Sequence, residues 1–185
     1  MKRVLLLVLA LAACQEEVVE TINPVAMTAD ALDHYCQMNL MEHEGPKGQI
    51  HLEGLPGAPL FFSQVRDAVA YMRLPEQSHV ILAVYVSDMG APGTTWTDPG
   101  ATNWIDATTA HYVIGADVEG GMGTREVVPF SEMAAAEAFA HQHGGSIVGL
   151  AAIPDALVIP PVVESADEDD YGDRLKALAH THEEG

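Results

Sequence analysis

The chain has few basic residues, few cysteines and few long apolar runs, and each scarcity narrows its possible functions. Only eight of its 185 residues are lysine or arginine, whereas 27 are aspartate or glutamate. The phosphates of nucleic acids and of anionic lipids repel so acidic a chain, so we expect no nucleic acid partner. The sequence also lacks a glycine-rich phosphate loop, a paired-carboxylate signature and a nucleophile elbow, which mark common classes of enzyme.

The one marked apolar run lies at the N-terminus. A positive start precedes ten apolar residues, 4–13, which are too few to span a bilayer and are followed directly by Cys14. This order is typical of a signal peptide. The residues Leu11-Ala12-Ala13-Cys14 resemble the bacterial lipobox, which implies removal of residues 1–13 and acylation of Cys14. Several acyl chains would form a stable membrane anchor, and a plain secretory signal is the alternative.

Processing of the N-terminus further reduces the number of basic residues and of free thiols. It takes away two basic residues and leaves six against 27 acidic ones, a net charge near −21 with neutral histidines. Acylation of Cys14 leaves Cys36 as the only free thiol, so no disulfide can form within the chain.

Three states are open to Cys36 outside the cytoplasm. It can be buried and inert, it can pair with another chain, or it can bind a soft metal ion as a thiolate. A structural zinc site would need more cysteine and histidine ligands at close spacing. A catalytic cysteine would need a base, and no residue stands at a diagnostic spacing for that role.

Composition divides the rest of the chain. Residues 14–24 are polar and acidic, and we interpret them as the lipid anchor and its tether. Residues 165–185 form an acidic tail that we expect to be disordered, and its His180 and His182 could bind metal with little specificity. Between these ends we predict two modules, 25–90 and 91–164.

Sequence patterns predict a mixture of strands and helices, and therefore an α+β fold. We predict a first helix that Ser63 caps and that ends near Leu74. A second helix is predicted from Ser131 to about His143, where Gly144-Gly145 ends it. The predicted strands cover residues 48–52, 59–62, 80–86, 103–106, 111–114, 127–130 and 146–150.

The two halves resemble each other around their helices. Residues 62–71 align without gaps with residues 130–139, and in both a Phe-Ser pair stands between a strand and a helix. An aromatic residue follows eight positions after each serine, Tyr71 in the first half and Phe139 in the second. We therefore predict two similar ββαβ modules that arose by internal duplication. Chance similarity between two amphipathic helices is the alternative.

Candidate ligands for a soft metal ion are concentrated in residues 34–43, which contain one cysteine, two methionines and two histidines. Thiolate and thioether sulfur favour Cu(I), while imidazole suits several metals. Cys36 and Met38 would leave the same face of an extended segment but would diverge in a helix. A buried structural cysteine is the alternative.

Met122 is a second candidate, because it is an apolar residue isolated in a loop between Gly121 and Gly123. Such a residue suggests a function, although a surface methionine in a hairpin turn is an equal alternative. Met89 is a weaker case that packing under a loop would explain. His141 and His143 lie in the predicted last turn of the second helix, where positive charge is favourable.

Taken together, the motifs resemble the NosL family, the lipoprotein accessory factors of nitrous-oxide reductase. The resemblance covers roughly residues 25–155 after the lipobox. The motifs that carry it are Cys36-Gln37-Met38, His43-Glu44-Gly45-Pro46-Lys47-Gly48-Gln49-Ile50, Val84-Tyr85-Val86-Ser87-Asp88-Met89-Gly90, Trp104-Ile105-Asp106-Ala107-Thr108, Gly121-Met122-Gly123 and His143-Gly144-Gly145.

The resemblance implies a Cu(I) chaperone that is not an enzyme. It would be anchored through Cys14 on the periplasmic side of a membrane, more consistent with the outer than the inner one. Copper would pass to the copper–sulfide site of nitrous-oxide reductase through the NosDFY membrane complex. The implied fold is a pair of ββαβ modules resembling part of organomercurial lyase. A copper-free assembly subunit that acts through its acidic surface is the competing interpretation.

The resemblance also suggests which residues bind the copper. We expect Cys36 and Met122 to bind Cu(I), with Met38 or His43 as a third ligand. One departure affects this set, because the family usually has glycine where this chain has Gln37. If that glycine needs a positive φ, the glutamine implies a slightly different loop and a less certain position for Met38.

Overall fold

The computed structural model describes residues 21–159. The signal peptide, the lipidation site Cys14, most of the tether, and the acidic tail with His180 and His182 lie outside the described residues. Within them the fold is α+β, as predicted, with two antiparallel sheets, three α-helices and two single-turn 3-10 helices. None of these helices is long and apolar enough to cross a membrane.

The first sheet has four strands in the order β2-β1-β3-β4. Its elements are β1 (Gly48–Leu52), β2 (Leu60–Phe62), helix α1 (Val65–Arg73), β3 (Ile81–Val86) and β4 (Ile105–Asp106). Strand β1 is central and pairs antiparallel with both β2 and β3. Gly48 allows helix α1 to approach this strand, because a Cβ at this glycine would lie 2.7 Å from the Cβ of Ala68.

The second sheet has three strands in the order β6-β5-β7. Its elements are β5 (His111–Ile114), β6 (Val128–Phe130), helix α2 (Met133–His143) and β7 (Ser146–Val148). A short helix α3 (Asp155–Val158) follows, which the sequence did not predict. Each sheet therefore contains a ββαβ segment whose first strand is central. The boundaries of the predicted modules stay predictions, and β4, which comes after residue 90, pairs with the first sheet.

Helix α1 begins one residue later than a cap at Ser63 predicts, and α2 begins two residues later than predicted. The N-cap residues are Gln64 and Glu132, and neither side chain makes a capping hydrogen bond. The prediction that Ser63 caps α1 is therefore wrong. The backbone NH of Ser63 instead donates to the carboxylate of Asp33, with a nitrogen-to-oxygen distance of 2.6 Å. Such a partner, thirty residues earlier, cannot be recognised from local sequence.

The core joins both modules. Tyr112 and Ile114 of β5 are buried in the same apolar cluster as Ile50 of β1 and Val69 of α1. Val113, between them, is buried in a second cluster with Phe130 and Ala136. Alternate residues of β5 therefore face opposite sides, and this strand is covered on both.

The N-terminal segment covers the outer face of the first sheet. The side-chain amide of Gln49 bonds to both backbone groups of Val25, accepting from its NH at 2.8 Å and donating to its carbonyl at 3.0 Å. The hydroxyl of Tyr85 donates to the carbonyl of Ile22. Because of this cover, β1 is buried along its full length and carries the polar residues Gln49 and His51 on its second face.

Candidate metal-binding site

Cys36 lies in a turn that a buried aspartate organises. One carboxylate oxygen of Asp33 accepts hydrogen bonds from the backbone NH groups of Tyr35, at 2.8 Å, and Cys36, at 2.9 Å. The other oxygen accepts from the NH of Ser63. Burial alone would raise the pKa of Asp33, but the hydrogen bonds from Cys36, Ser63 and Tyr35 together lower it below its usual value. The ionised carboxylate thus fixes the backbone on which the thiol stands.

The residue after the cysteine adopts a left-handed conformation. Gln37 has a φ of 58°, and it is the only non-glycine residue with positive φ in the part of the chain that the structure describes. Its side-chain amide donates to the carbonyls of Asp33, at 3.1 Å, and His34, at 2.7 Å. These bonds offset the steric cost of the conformation. The positive φ considered for a glycine here is therefore adopted by the glutamine itself.

His43 faces the cysteine across seven residues of sequence. A single 3-10 turn, Leu40–Glu42, reverses the chain and buries Leu40. The imidazole of His43 is buried, and its Nε2 lies 3.9 Å from the Sγ of Cys36. This is too long for a strong hydrogen bond, but it places the two donor atoms side by side.

The other nitrogen of His43 contacts the loop that carries Met122. Its Nδ1 lies 3.2 Å from the carbonyl oxygen of Gly121. A carbonyl can only accept, so this contact is a hydrogen bond when Nδ1 carries the proton. In that neutral tautomer Nε2 keeps its lone pair and directs it towards the thiol. A backbone carbonyl that orients a ligating imidazole in this way is common at metal sites.

Close packing holds the two loops together. A Cβ at Gly121 would lie 2.5 Å from the Cβ of His43 and 3.0 Å from its Cα, so a larger residue could not occupy this position. The loop itself is a tight turn, in which the NH of Gly120 donates to Thr124 and the NH of Gly123 donates back to Gly120. Met122 projects from the end of this turn and is 46% exposed.

A buried lysine supports the segment that carries His43. The Nζ of Lys47 donates to the carbonyls of His43 (2.6 Å), Gly45 (2.8 Å), Glu44 (3.2 Å) and Ser63 (3.3 Å). Burial lowers the pKa of Lys47 to about 8, although nearby carboxylates act in the opposite direction. The lysine therefore occupies a cage of carbonyls beneath the site, where it ties the residues after His43 to the start of α1.

Among the carboxylates near Lys47, the buried side chain of Glu126 has the strongest electrostatic effect on it. One of its oxygens accepts from the backbone NH groups of Arg66, at 3.1 Å, and Val127, at 2.8 Å. The other oxygen is buried and has no hydrogen-bond partner among the described residues. Burial raises the pKa of Glu126 to about 8. This residue connects the strand after the Met122 loop to the first turn of α1.

The structure brings Cys36 and His43 together directly, and it connects His43 to the Met122 loop. Met38 follows Cys36 across the left-handed residue and is half exposed. No group of three or more histidine, cysteine, aspartate or glutamate side chains in residues 21–159 is arranged to hold a metal ion. Any third ligand supplied by the described residues would therefore be of another kind, such as a methionine thioether.

The other candidates lie away from Cys36, in the second sheet and its helix. Met89 is partly buried and packs against the second core cluster, as the packing interpretation predicts. His141 and His143 occupy the last turn of α2. The ring of His143 lies 4.5 Å from that of Phe139. Asp33 and Lys47, which hold the site, were missed because buried acids and lysines have no marker in a single sequence.

Comparison with known proteins gives one consistent result. A family model described as NosL matches residues 24–158. A copper-binding lipoprotein NosL from Achromobacter cycloclastes is 56% identical over 174 residues, which cover 92% of this chain and 90% of that one. A second, from Stutzerimonas stutzeri, is 33% identical over 156 residues, covering 83% and 78%. The crystal structure of the copper chaperone NosL from Shewanella denitrificans is 30% identical, with a TM-score of 0.67, and covers 74% of this chain and 98% of that one.

Proposed function

This chain belongs to the NosL family, and we propose that it is a membrane-anchored Cu(I) chaperone. The observation that carries the proposal is the arrangement around His43. Its Nε2 lies 3.9 Å from the thiol of Cys36, while its Nδ1 faces the carbonyl before Met122. A soft sulfur donor and an oriented imidazole are thereby held next to a loop that presents a thioether.

The donor atoms suit copper in its reduced state. Thiolate and thioether are soft ligands that select Cu(I), whereas zinc in a structural site would take four ligands. Metal–nitrogen and metal–sulfur bonds are about 2.0 and 2.3 Å long for the comparable ion zinc. Their sum slightly exceeds the separation of Nε2 and Sγ. One ion can therefore bind between these atoms without displacing either residue, with Met122 or Met38 as a further ligand.

Two features of the site suit transfer rather than storage. The backbone around Cys36 and His43 is fixed by Asp33 and Lys47, so the first two ligands need no reorganisation when copper binds. The thioethers of Met38 and Met122 are exposed and can be displaced. A ligand from an acceptor can then replace a thioether before the thiolate leaves, so that copper moves by ligand exchange and is never released as a free ion.

Membrane anchoring follows from the N-terminal motif. We propose acylation of Cys14 after removal of residues 1–13, with the folded part facing the periplasm, on the outer membrane in preference to the inner one. Both relatives, from Achromobacter cycloclastes and Stutzerimonas stutzeri, are named as lipoproteins, which supports this assignment. Acylation of Cys14 leaves Cys36 as the only free thiol, so the chain has no second cysteine with which Cys36 could form a disulfide.

The proposed recipient of the copper is nitrous-oxide reductase, reached through the NosDFY membrane complex. The strong negative charge of the chain favours a basic surface on the protein that receives the copper. We also propose that the two ββαβ segments arose by duplication and that the fold is related to that of organomercurial lyase. The matching order of the three strands in each ββαβ segment, β2-β1-β3 and β6-β5-β7, supports the first of these ideas.

An anaerobic titration with Cu(I) against a competing Cu(I)-specific chelator tests the function. The wild-type protein should bind one Cu(I) per chain, and Cys36→Ser should lose this binding. His43→Gln and Met122→Leu should weaken it. Met133→Leu is the matched control, because Met133 is exposed like Met122, at 44%, but lies on α2.

The result that would overturn the proposal is a Cys36→Ser protein that titrates like wild type. The chain would then act as a copper-free assembly subunit. In that case its docking should be sensitive to salt and indifferent to Met122→Ala.

A further inference from the structure

An apolar groove lies at the end of the first sheet that is opposite the metal-binding site. Strand β1 begins next to Lys47, beneath His43, and ends at Leu52. The groove beyond that end has a volume of about 520 Å³ and includes Ile22, Val25, Leu52, Leu55, Pro56 and Leu82 in its lining. Leu55 and Leu82 are 43% and 47% exposed. Apolar residues grouped in this way at a surface are typical of a contact with another body.

The surroundings of the groove are nearly free of charge. Its lining comes mainly from residues 51–57, at the turn between β1 and β2, and from residues 21–25 of the N-terminal segment, with Leu82 of β3. No aspartate, glutamate, lysine or arginine lines it, and Glu53 is the only such residue in these two ranges, although the whole chain has 27 acidic residues. A surface with so few charges is one that this protein can bring close to lipid headgroups with little electrostatic repulsion.

The N-terminal segment ends at the same groove. Thr21 and Ile22 line it, and the hydroxyl of Tyr85 holds Ile22 against the sheet. Cys14 precedes Thr21 by seven residues, and seven residues span at most about 25 Å. If Cys14 is acylated, the membrane surface therefore lies within a short distance of the groove.

From these three observations we infer that this end of the first sheet rests on the lipid bilayer, with Leu55 and Leu82 inserted at its surface. The inference rests on the proposed acylation of Cys14. It also gives the metal-binding site an orientation. The four steps of β1 from Gly48 to Leu52 amount to about 13 Å, so Cys36 and Met122 face away from the membrane, towards a partner.

The experiment uses the full acylated chain in phosphatidylcholine vesicles, in a Cys36→Ser background so that only one introduced thiol can be labelled. Leu82→Cys and Met122→Cys, one at each end of the sheet, carry an environment-sensitive fluorophore. The inference predicts a blue-shifted emission and strong quenching by spin-labelled lipid at position 82. At position 122 it predicts emission as in water and little quenching.

The remaining outcomes contradict the inference in distinguishable ways. Equal quenching at both positions, or none at either while the protein floats with the vesicles, would show an anchored chain with another orientation. A blue shift at position 82 without lipid quenching, together with cross-linking between copies, would identify a second copy of the chain in the groove. Failure to float with the vesicles would disprove both the anchor and the orientation, whereas the separate Cu(I) titration of the wild-type protein would still test the proposed function.

Discussion

Two corners of the molecule, one before each main helix, are organised by a buried aspartate. Asp33 accepts from the NH of Ser63, before α1, and Asp88 accepts from the NH and the hydroxyl of Ser131, before α2. The residue after each aspartate donates to the strand before the helix. His34 donates to Phe61 at 2.7 Å, and Met89 donates to Pro129 at 2.9 Å. The two corners therefore share one hydrogen-bonding frame.

The two corners differ in the residues that follow the aspartate. In the first corner the chain continues through Cys36 and the left-handed Gln37, and returns by a 3-10 turn to His43. In the second it continues through Gly90, whose NH also donates to the aspartate. The position that Lys47 holds before β1 is taken before β5 by the small apolar residue Ala110. The aspartate corner thus provides rigidity, and the metal chemistry comes from residues that only the first corner has.

Replacing the buried lysine should produce the largest change in stability. Lys47→Met keeps most of the volume but leaves four carbonyls without a donor. We expect a loss of about 3–5 kcal/mol in the free energy of unfolding, because several buried acceptors lose their donor, at about 1–3 kcal/mol for each that stays unsatisfied. Urea denaturation measures it. Arg125→Ala, which removes an exposed ion pair with Asp117, should cost under about 1 kcal/mol.

A Lys47→Met protein as stable as Arg125→Ala would mean that water replaces the ammonium group. The first corner would then be no more dependent on buried charge than the second.

Replacing each aspartate with asparagine distinguishes its contribution to stability from its contribution to Cu(I) binding. Asp33→Asn and Asp88→Asn should each cost about 1–3 kcal/mol, because an amide nitrogen cannot accept the hydrogen bond that the carboxylate oxygen accepted. Only Asp33→Asn should also weaken Cu(I) binding, by about 10-fold, since it loosens the backbone that positions the thiol. Denaturation and chelator competition on both variants give the two numbers. Equal losses of Cu(I) affinity would show that the corners are coupled, and that the comparison fails.

Local patterns predicted the strands well. Strand β5 was predicted at the bounds that the structure has, and β1 likewise, because polar and apolar residues alternate in β1 and β5 is a short run of residues that favour strands. The starts of α1 and α2 were predicted one and two residues early, since the serine NH groups bond to distant aspartates. The four-residue helix α3 has too few turns to show a period.

The site was only partly predictable. Residue type alone identified Cys36, Met38, His43 and Met122 as candidates, and family resemblance grouped them. The proximity of Cys36 and His43 depends on a one-turn 3-10 helix and on packing against Gly121, and neither has a spacing that a sequence reveals. The burial of Lys47 runs against the ordinary preference of lysine for the surface.

The smallest expected effect concerns Gln37, whose left-handed conformation has no counterpart in residues 88–91 of the second corner. Gln37→Ala and Gln37→Gly both remove the side-chain hydrogen bonds, but only glycine also removes the steric strain of positive φ. The glycine variant should therefore unfold with a free energy about 1 kcal/mol higher than the alanine variant. Denaturation of the two variants side by side measures this difference. If alanine were as stable as glycine, residue 37 would not be left-handed in solution, and the path from Cys36 to Met38 would differ from the one described.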